Sequence, residues 1–240
     1  MKFKKVLYQF IFSLFLLTNA ASSLASTCNS KKCDGYILPE SASDFISQGY
    51  SNVSVQVISG YKYLLLTTLN DVNKCSILYK VNENSVDSTP LIGTKGQVCN
   101  ISTRDGKVVS SWRDAGKWND DVYQVSPDEG WNLLFRDSCV GCDQVKRSYF
   151  TNGKEIESVL MSDGDDFTLR KNLTGKVIVD KSTLYKSSNT NGGSKGYLIK
   201  GDIVSLIDMS SDGDLYKVKY KTTSGKVIIS WIKSDDFSLN

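Results

Sequence analysis

From residue 53 onward the chain alternates between short apolar runs and polar turns. Residues 53–57 carry valine at every second position, and residues 63–67 and 75–81 are continuous apolar runs. Clusters of Gly, Asn and Asp separate these runs, which is typical of antiparallel strands joined by turns. One short helix is predicted over residues 41–47, ending at Gly49. The pattern therefore predicts an all-β fold.

A set of apolar positions recurs 44 residues further along the chain. A period in the mid-forties with four short strands per unit is typical of the blades of a β-propeller. Three copies, the last one faint, are fewer than a closed propeller uses. The sequence therefore predicts a run of blade-like antiparallel sheets over residues 26–172, or alternatively a coincidence of short strands in an all-β domain. The matched positions are Val55, Val57, Leu64, Tyr79, Val81 and Leu91 with Cys99, Ile101, Val108, Tyr123, Val125 and Phe135.

The first 25 residues have the pattern of an export signal. Lys2, Lys4 and Lys5 precede an apolar run over residues 6–17, and Ser23-Leu24-Ala25 provides the small residues of a signal-peptidase site. The apolar run is short for a membrane span. We therefore expect residues 1–25 to be a signal peptide, and the mature chain to be a periplasmic or secreted bacterial protein without a membrane span.

Charge and composition narrow the function further. Removing the three leader lysines from 29 basic residues leaves 26, which equals the 26 acidic residues. A neutral mature chain argues against nucleic acid or an anionic membrane as the main partner. The chain has no histidine, so it lacks the commonest general base and metal ligand. We expect a protein that is not an enzyme and carries no cofactor or metal.

Six cysteines, all in the mature chain, predict three structural disulfides. Fifteen pairings are possible. Proximity in the sequence favours three pairs, and the spacing of the last pair also allows a redox site or a zinc site. The favoured pairs are Cys28 with Cys33, Cys75 with Cys99, and Cys139 with Cys142.

The pattern changes after residue 175, where five short strands fit into about 65 residues. Residues 198–204 read Leu-Ile-Lys-Gly-Asp-Ile-Val, residues 215–218 read Leu-Tyr-Lys-Val, and residues 230–232 read Ser-Trp-Ile ahead of Asp236-Phe237. In order and spacing these segments resemble the bacterial SH3 (SH3b) family. The resemblance implies a small SH3-like β-barrel over residues 173–240 that binds cell-wall peptides or partner proteins. Ser230 replaces the usual Gly of the family and its Arg-x-Gly-Pro stretch is missing, which favours a protein partner.

Aromatic side chains are the candidate binding residues of the SH3-like region. Tyr185, Tyr197, Tyr216 and Trp231 are expected to line a groove, because aromatic rings provide large contact areas. The alternative is that these rings fill the core of the barrel.

A second candidate surface lies in the predicted repeat region. Trp112, Arg113 and Trp118 are expected in an exposed loop between two strands, and Trp and Arg are favoured at the centres of protein interfaces. The alternative is that Trp112 ends a buried strand and only Trp118 is exposed.

Two acidic clusters surround glycines, one at Asp163, Asp165 and Asp166 and the other at Asp212 and Asp214. Asp-Gly turns between strands account for both clusters, and neither has the spacing of a calcium-binding loop.

Together these features predict a non-enzymatic, exported envelope protein that binds a protein partner through aromatic surfaces. A toxin or an envelope enzyme would suit such a partner, with the chain as its inhibitor or immunity protein. The alternatives are a peptidoglycan-binding SH3b protein and an envelope hydrolase that uses carboxylates such as Asp165 and Asp166.

Overall fold

The computed structural model describes residues 27–69, 72–91, 96–127, 130–140 and 144–240. Nearly all regular structure in these residues is antiparallel β-strand, which confirms the all-β prediction. The α-helix α1 (Ala42–Ser47) lies where a helix was predicted. Among the described residues, no helix is long and apolar enough to cross a membrane. The predicted signal peptide lies outside them.

Two small sheets form the N-terminal part. A two-stranded sheet pairs β1 (Lys32–Cys33) with β2 (Tyr36–Ile37). The next four strands follow one another as a meander. Its second strand is a continuous apolar run because both of its faces are buried: Leu64 packs toward α1, whereas Leu65 packs toward the six-stranded sheet described below. The four strands are β3 (Asn52–Ile58), β4 (Tyr61–Thr67), β5 (Cys75–Lys80) and β6 (Gln97–Cys99).

A second meander of six longer strands follows. Two-residue turns with positive φ join several of its strands, including Asp105-Gly106 and Asn152-Gly153. This geometry matches the twist of a tight hairpin. The six strands are β7 (Ile101–Arg104), β8 (Lys107–Asp114), β9 (Lys117–Ser126), β10 (Gly130–Val140), β11 (Gln144–Thr151) and β12 (Lys154–Ser162).

The 44-residue repeat appears in one strand pair. Leu64 pairs with Tyr79 across β4 and β5, and Val108 pairs with Tyr123 across β8 and β9. The preceding strands break the equivalence, because Val108 pairs with Thr103 on its other side instead of with Cys99. The strands form sheets of four and six, so a repeated blade is not confirmed.

The remaining strands form one seven-stranded sheet, here called the C-terminal sheet, in the order β15-β14-β18-β17-β16-β13-β19. Its core holds Val204, Val218 and Ile232, all almost fully buried. The run over residues 195–206 divides into two strands at Gly201, which has a φ of 97°. The strands are β13 (Thr174–Val177), β14 (Ser182–Tyr185), β15 (Gly193–Leu198), β16 (Ile203–Met209), β17 (Leu215–Lys221), β18 (Val227–Lys233) and β19 (Phe237–Leu239).

Backbone hydrogen bonds join the six-stranded sheet to the C-terminal sheet. The amide of Leu173 donates to the carbonyl of Leu160 in β12, and the amide of Leu206 in β16 donates to the carbonyl of Leu173. Leu160 is fully buried in the core of the C-terminal sheet, and Val140 of β10 packs against that core. The predicted domain boundary at residue 172 therefore lies inside this junction.

Candidate functional site

Trp112, Arg113 and Trp118 lie in a β-hairpin, so the prediction of a loop is wrong. Trp112 and Arg113 are in β8 and Trp118 is in β9. Ala115 and Gly116 form the tight turn between them, with φ values of 46° and 81°. Because Arg113 pairs with Trp118, and Trp112 pairs with Asn119, the two indoles leave opposite faces of the sheet.

A row of charged side chains crosses the sheet on the face of Trp118. Asp120, Asp137 and Arg147 are direct neighbours across β9, β10 and β11. Asp137 is completely buried, and Arg147 is 7% exposed. The Nε and Nη2 atoms of Arg147 donate to the two carboxylate oxygens of Asp137 at 2.7 and 2.6 Å. A bidentate pair of this kind satisfies a buried carboxylate.

Three arginines hold the segment over residues 163–170, here called the acidic loop, against this row. Each donates to a different backbone carbonyl: Arg104 to Asp165 at 3.1 Å, Arg147 to Phe167 at 2.8 Å, and Arg170 to Gly164 at 2.9 Å. The contact at Phe167 is buried, and a buried carbonyl outside a strand needs such a donor. The loop is therefore held by Arg104 of β7, by Arg147 of β11 and by its own Arg170.

Arg170 links the acidic loop to both aspartates of the row. Its Nη1 donates to Asp137, and its Nη2 lies 4.0 Å from a carboxylate oxygen of Asp120. The guanidinium also lies 5.0 Å from the centre of the Trp118 ring, within the range of a cation–π contact. The Trp118 ring is thus positioned by the buried network behind it.

The opposite face of the sheet repeats this arrangement once. Arg136 donates to the two carboxylate oxygens of Asp121 at 2.5 and 2.8 Å, and its guanidinium lies 5.3 Å from the Trp112 ring. Asp120 and Asp121 are adjacent in β9, so each pairs with an arginine on its own face. Both tryptophans therefore contact an arginine that is held by a carboxylate.

The pKa values of two aspartates reflect these surroundings. Burial raises the pKa of Asp120, opposed by a hydrogen bond from Ser111 at 2.6 Å and by the charge of Arg170. Hydrogen bonds from the backbone amide and hydroxyl of Thr168 lower the pKa of Asp166. Asp166 is thus stabilised as the charged acceptor of a turn.

A groove of about 400 Å³ opens beside the hairpin, and we call it the tryptophan groove. The groove brings together the hairpin and the acidic loop, which are about 50 residues apart in the sequence. The sequence indicated each of them as a separate feature. Its walls carry an indole, one exposed guanidinium and three carboxylates. The residues that carry these groups are Trp118, Arg113, Asp120, Asp163 and Asp165, with Trp112, Ser111, Asn100, Val72, Gly164 and Arg170 completing the lining.

The aromatic residues of the C-terminal sheet have different environments. Tyr216 is 8% exposed and packs edge-to-face on Phe237. Its hydroxyl accepts a hydrogen bond from Gln144 of the six-stranded sheet at 3.0 Å. Because the ring fills the core and its polar end is engaged, the prediction that Tyr216 lines a binding groove is wrong.

The other three aromatic residues lie outside that core. Tyr185 pairs with Trp231 across β14 and β18, and both are half-buried. Tyr197 is 51% exposed, with Lys181 Nζ 4.7 Å from its ring centre. These three side chains lie on the outer face of the C-terminal sheet, where they are accessible to a ligand.

The predicted disulfides agree with the structure as far as it describes them. Cys28–Cys33 and Cys75–Cys99 are formed, and Cys139 is disulfide-bonded as well. Cys142, its predicted partner, lies outside the described residues. Among the described residues, Cys28, Cys33 and Asp34 form the one cluster close enough to hold a metal ion, and both sulfurs belong to a disulfide.

The second acidic cluster is a turn, as predicted. Asp212 accepts hydrogen bonds from the hydroxyl of Ser210 and the amide of Asp214, which lower its pKa. These contacts are those of a turn closed by an aspartate side chain.

Sequence reasoning missed Asp120, Asp137, Arg147 and Arg170. The available signal was a charged residue at inward-facing positions of strands, as in Arg136-Asp137 and Lys146-Arg147. Buried charges of this type are rare unless they are paired.

Comparison with protein-family models, curated proteins and solved structures gave no match.

Proposed function

We propose that the chain is a non-enzymatic, exported protein of the bacterial envelope that binds a protein partner through the tryptophan groove. The observation that carries this proposal is the convergence of the Trp118 hairpin and the acidic loop on one groove. Trp and Arg are the side chains that dominate the binding energy of protein interfaces.

The buried network supports a binding role because it fixes the walls of the groove before a partner arrives. Arg170 holds Trp118 on one side and Gly164 of the acidic loop on the other. A preorganised surface loses less conformational entropy on binding than a mobile one. An inhibitor or immunity protein, whose partner is a toxin or an envelope enzyme, would use such a surface.

The experiment compares two variants with wild type for binding to envelope proteins and to peptidoglycan. The mature protein is immobilised and exposed either to envelope extract of the producing bacterium or to purified peptidoglycan. Arg113→Glu combined with Asp165→Lys reverses two exposed charges of the groove, and Tyr185→Ala removes an aromatic of the C-terminal sheet. We expect a protein retained by wild type and Tyr185→Ala to be lost from the groove variant.

Peptidoglycan binding is the second candidate, because Tyr185 and Trp231 are neighbours on the outside of the C-terminal sheet. Retention on peptidoglycan that Tyr185→Ala abolishes and the groove variant leaves intact would replace the first proposal with this one. Circular dichroism of each variant checks that the fold is unchanged.

A further inference from the structure

The outer face of the C-terminal sheet carries a row of lysines beside a row of apolar side chains. Alternation along β17 and β18 puts three lysines and three apolar residues on this outer face, while Val218 and Ile232 enter the core on the other face. Each lysine is the direct cross-strand partner of an apolar residue. The pairs, together called the lysine face, are Lys217 with Trp231, Lys219 with Ile229, and Lys221 with Val227.

Two of the three apolar members of the lysine face are exposed to solvent. Ile229 is 56% exposed and Val227 is 48% exposed. The solvated face of an antiparallel sheet normally carries polar side chains, and a contiguous exposed apolar patch marks an interaction surface. A face that only kept the protein soluble would not need these aliphatic side chains.

A groove of about 470 Å³ deepens this face where it meets β12. Ile156, Ile207 and Ile229 line it together with Lys217 and Lys219. Ile156 is 66% exposed, so the groove offers a third open aliphatic side chain. The concave shape allows a bound segment to be contacted from two sides.

The charges of the lysine face are only partly balanced. Lys219 forms an ion pair with Glu157 at 3.3 Å, with both side chains about half exposed. Among the described residues, neither Lys217 nor Lys221 forms an ion pair. An exposed pair such as Lys219–Glu157 contributes little and exchanges easily. The face is therefore complementary to an acidic ligand.

We propose that the lysine face binds an extended acidic segment of a protein partner, in which carboxylates alternate with apolar or neutral residues. Alternate residues of an extended chain are about 7 Å apart, so carboxylates at every second position match the spacing of the lysines along β17. The intervening aliphatic side chains of the sheet bury against the same segment.

A second copy of the chain fits this face less well. Each copy would bring three lysines to such an interface against only Glu155 and Glu157, because a two-fold interface joins identical patches, so the two patches would repel each other. The proposal concerns a different sheet from the tryptophan groove and does not depend on it.

The probe is a fluorescein-labelled eight-residue peptide in which glutamate alternates with leucine and threonine, measured by fluorescence anisotropy at low ionic strength. We expect saturable binding that weakens as salt screens the charges. Lys217→Glu, Lys219→Glu and Lys221→Glu together should weaken binding at least about tenfold, since each exposed ion pair contributes a modest share. Lys219→Glu with Lys221→Glu is the milder variant if the triple variant misfolds.

Three controls make the result specific. Lys31→Glu, Lys171→Glu and Lys195→Glu together make the same charge change on other exposed positions and should leave binding unchanged. A peptide with glutamine in place of glutamate should not bind. Arg113→Glu in the tryptophan groove should have no effect on the probe.

Several outcomes would overturn the proposal. One is the absence of peptide binding, and another is an equal loss of affinity in the lysine-face variant and the charge control. Binding to phosphatidylglycerol vesicles without binding to the peptide would assign the face to a lipid surface instead.

Discussion

Replacing Arg147 by methionine tests the buried network most directly. Arg147 makes two hydrogen bonds to the fully buried Asp137 and one to the carbonyl of Phe167, and its guanidinium lies 4.0 Å from the centre of the Phe135 ring. Removing one partner of a buried ion pair costs about 3–5 kcal/mol. Because Arg170 still donates to Asp137, we expect the lower end, about 3 kcal/mol of unfolding free energy.

Arg104→Met is the matched control. Arg104 also donates to a carbonyl of the acidic loop and pairs with an aspartate, but that pair is 3.7 Å long with side chains 48% and 32% exposed. An exposed pair contributes about 0–1 kcal/mol. The two variants therefore make the same chemical change at a buried and at an exposed arginine, both of which contact the acidic loop.

The assay is urea unfolding at pH 7, followed by tryptophan fluorescence and circular dichroism. With a slope of about 3 kcal/mol per molar urea, Arg147→Met should lower the midpoint by about 1 M and Arg104→Met by at most about 0.3 M. Equal shifts for the two variants, or a shift below about 0.3 M for Arg147→Met, would refute the reasoning from burial. Arg147→Lys should fall between wild type and methionine, because it keeps the charge but loses the bidentate geometry.

Two further predictions concern the disulfides and pH. Cys75 and Cys99 are 24 residues apart, whereas Cys28 and Cys33 are 5 apart. Because a longer closed loop restricts the unfolded chain more, replacing Cys75 and Cys99 by alanine should lower the free energy of unfolding by about 3.5 kcal/mol, and replacing Cys28 and Cys33 by about 2 kcal/mol. Urea unfolding measures both losses. Equal losses would contradict that account. Because the pKa of Asp120 is raised above its usual value of 3.8, the folded state binds a proton more tightly than the unfolded state there. As pH rises from 3.8 through the raised pKa, the free energy of unfolding of wild type should fall relative to that of Asp120→Asn. Above the raised pKa the difference between the two proteins should stay constant. A wild type that gains stability relative to Asp120→Asn over this pH range would contradict the prediction.

Most strands could be predicted from the sequence because their side chains follow a period of two. Residues 53–57 alternate in this way. Residues 63–67 give a different signal: five consecutive residues of low polarity indicate a strand buried on both faces, and β4 is such a strand. The hairpin at Trp112 was missed because its turn uses Ala115 with a φ of 46°, a conformation that alanine rarely adopts. Without a recognised two-residue turn, the flanking tryptophans were assigned to a loop.

The buried network could not be read from the sequence for a different reason. Asp120, Asp137, Arg147 and Arg170 belong to four separate segments, and only the strand register and the path of the acidic loop bring them together. A shift of one residue in any of these strands would turn the charge to the opposite face. The position of Tyr216 in the core depends in the same way on its pairing with Ile232.

The junction at Leu173 has a consequence for the two proposed binding surfaces. Its hydrogen bonds to Leu160 and Leu206, and the burial of Leu160 in the neighbouring core, prevent the two sheets from pivoting freely. The tryptophan groove and the lysine face are therefore held at a fixed separation and orientation. When two weak contacts are held rigidly, the first contact raises the effective concentration for the second, provided that the partner spans both. Selectivity would then come from the spacing of two patches on the partner, and a protein that matches only one of them would dissociate quickly.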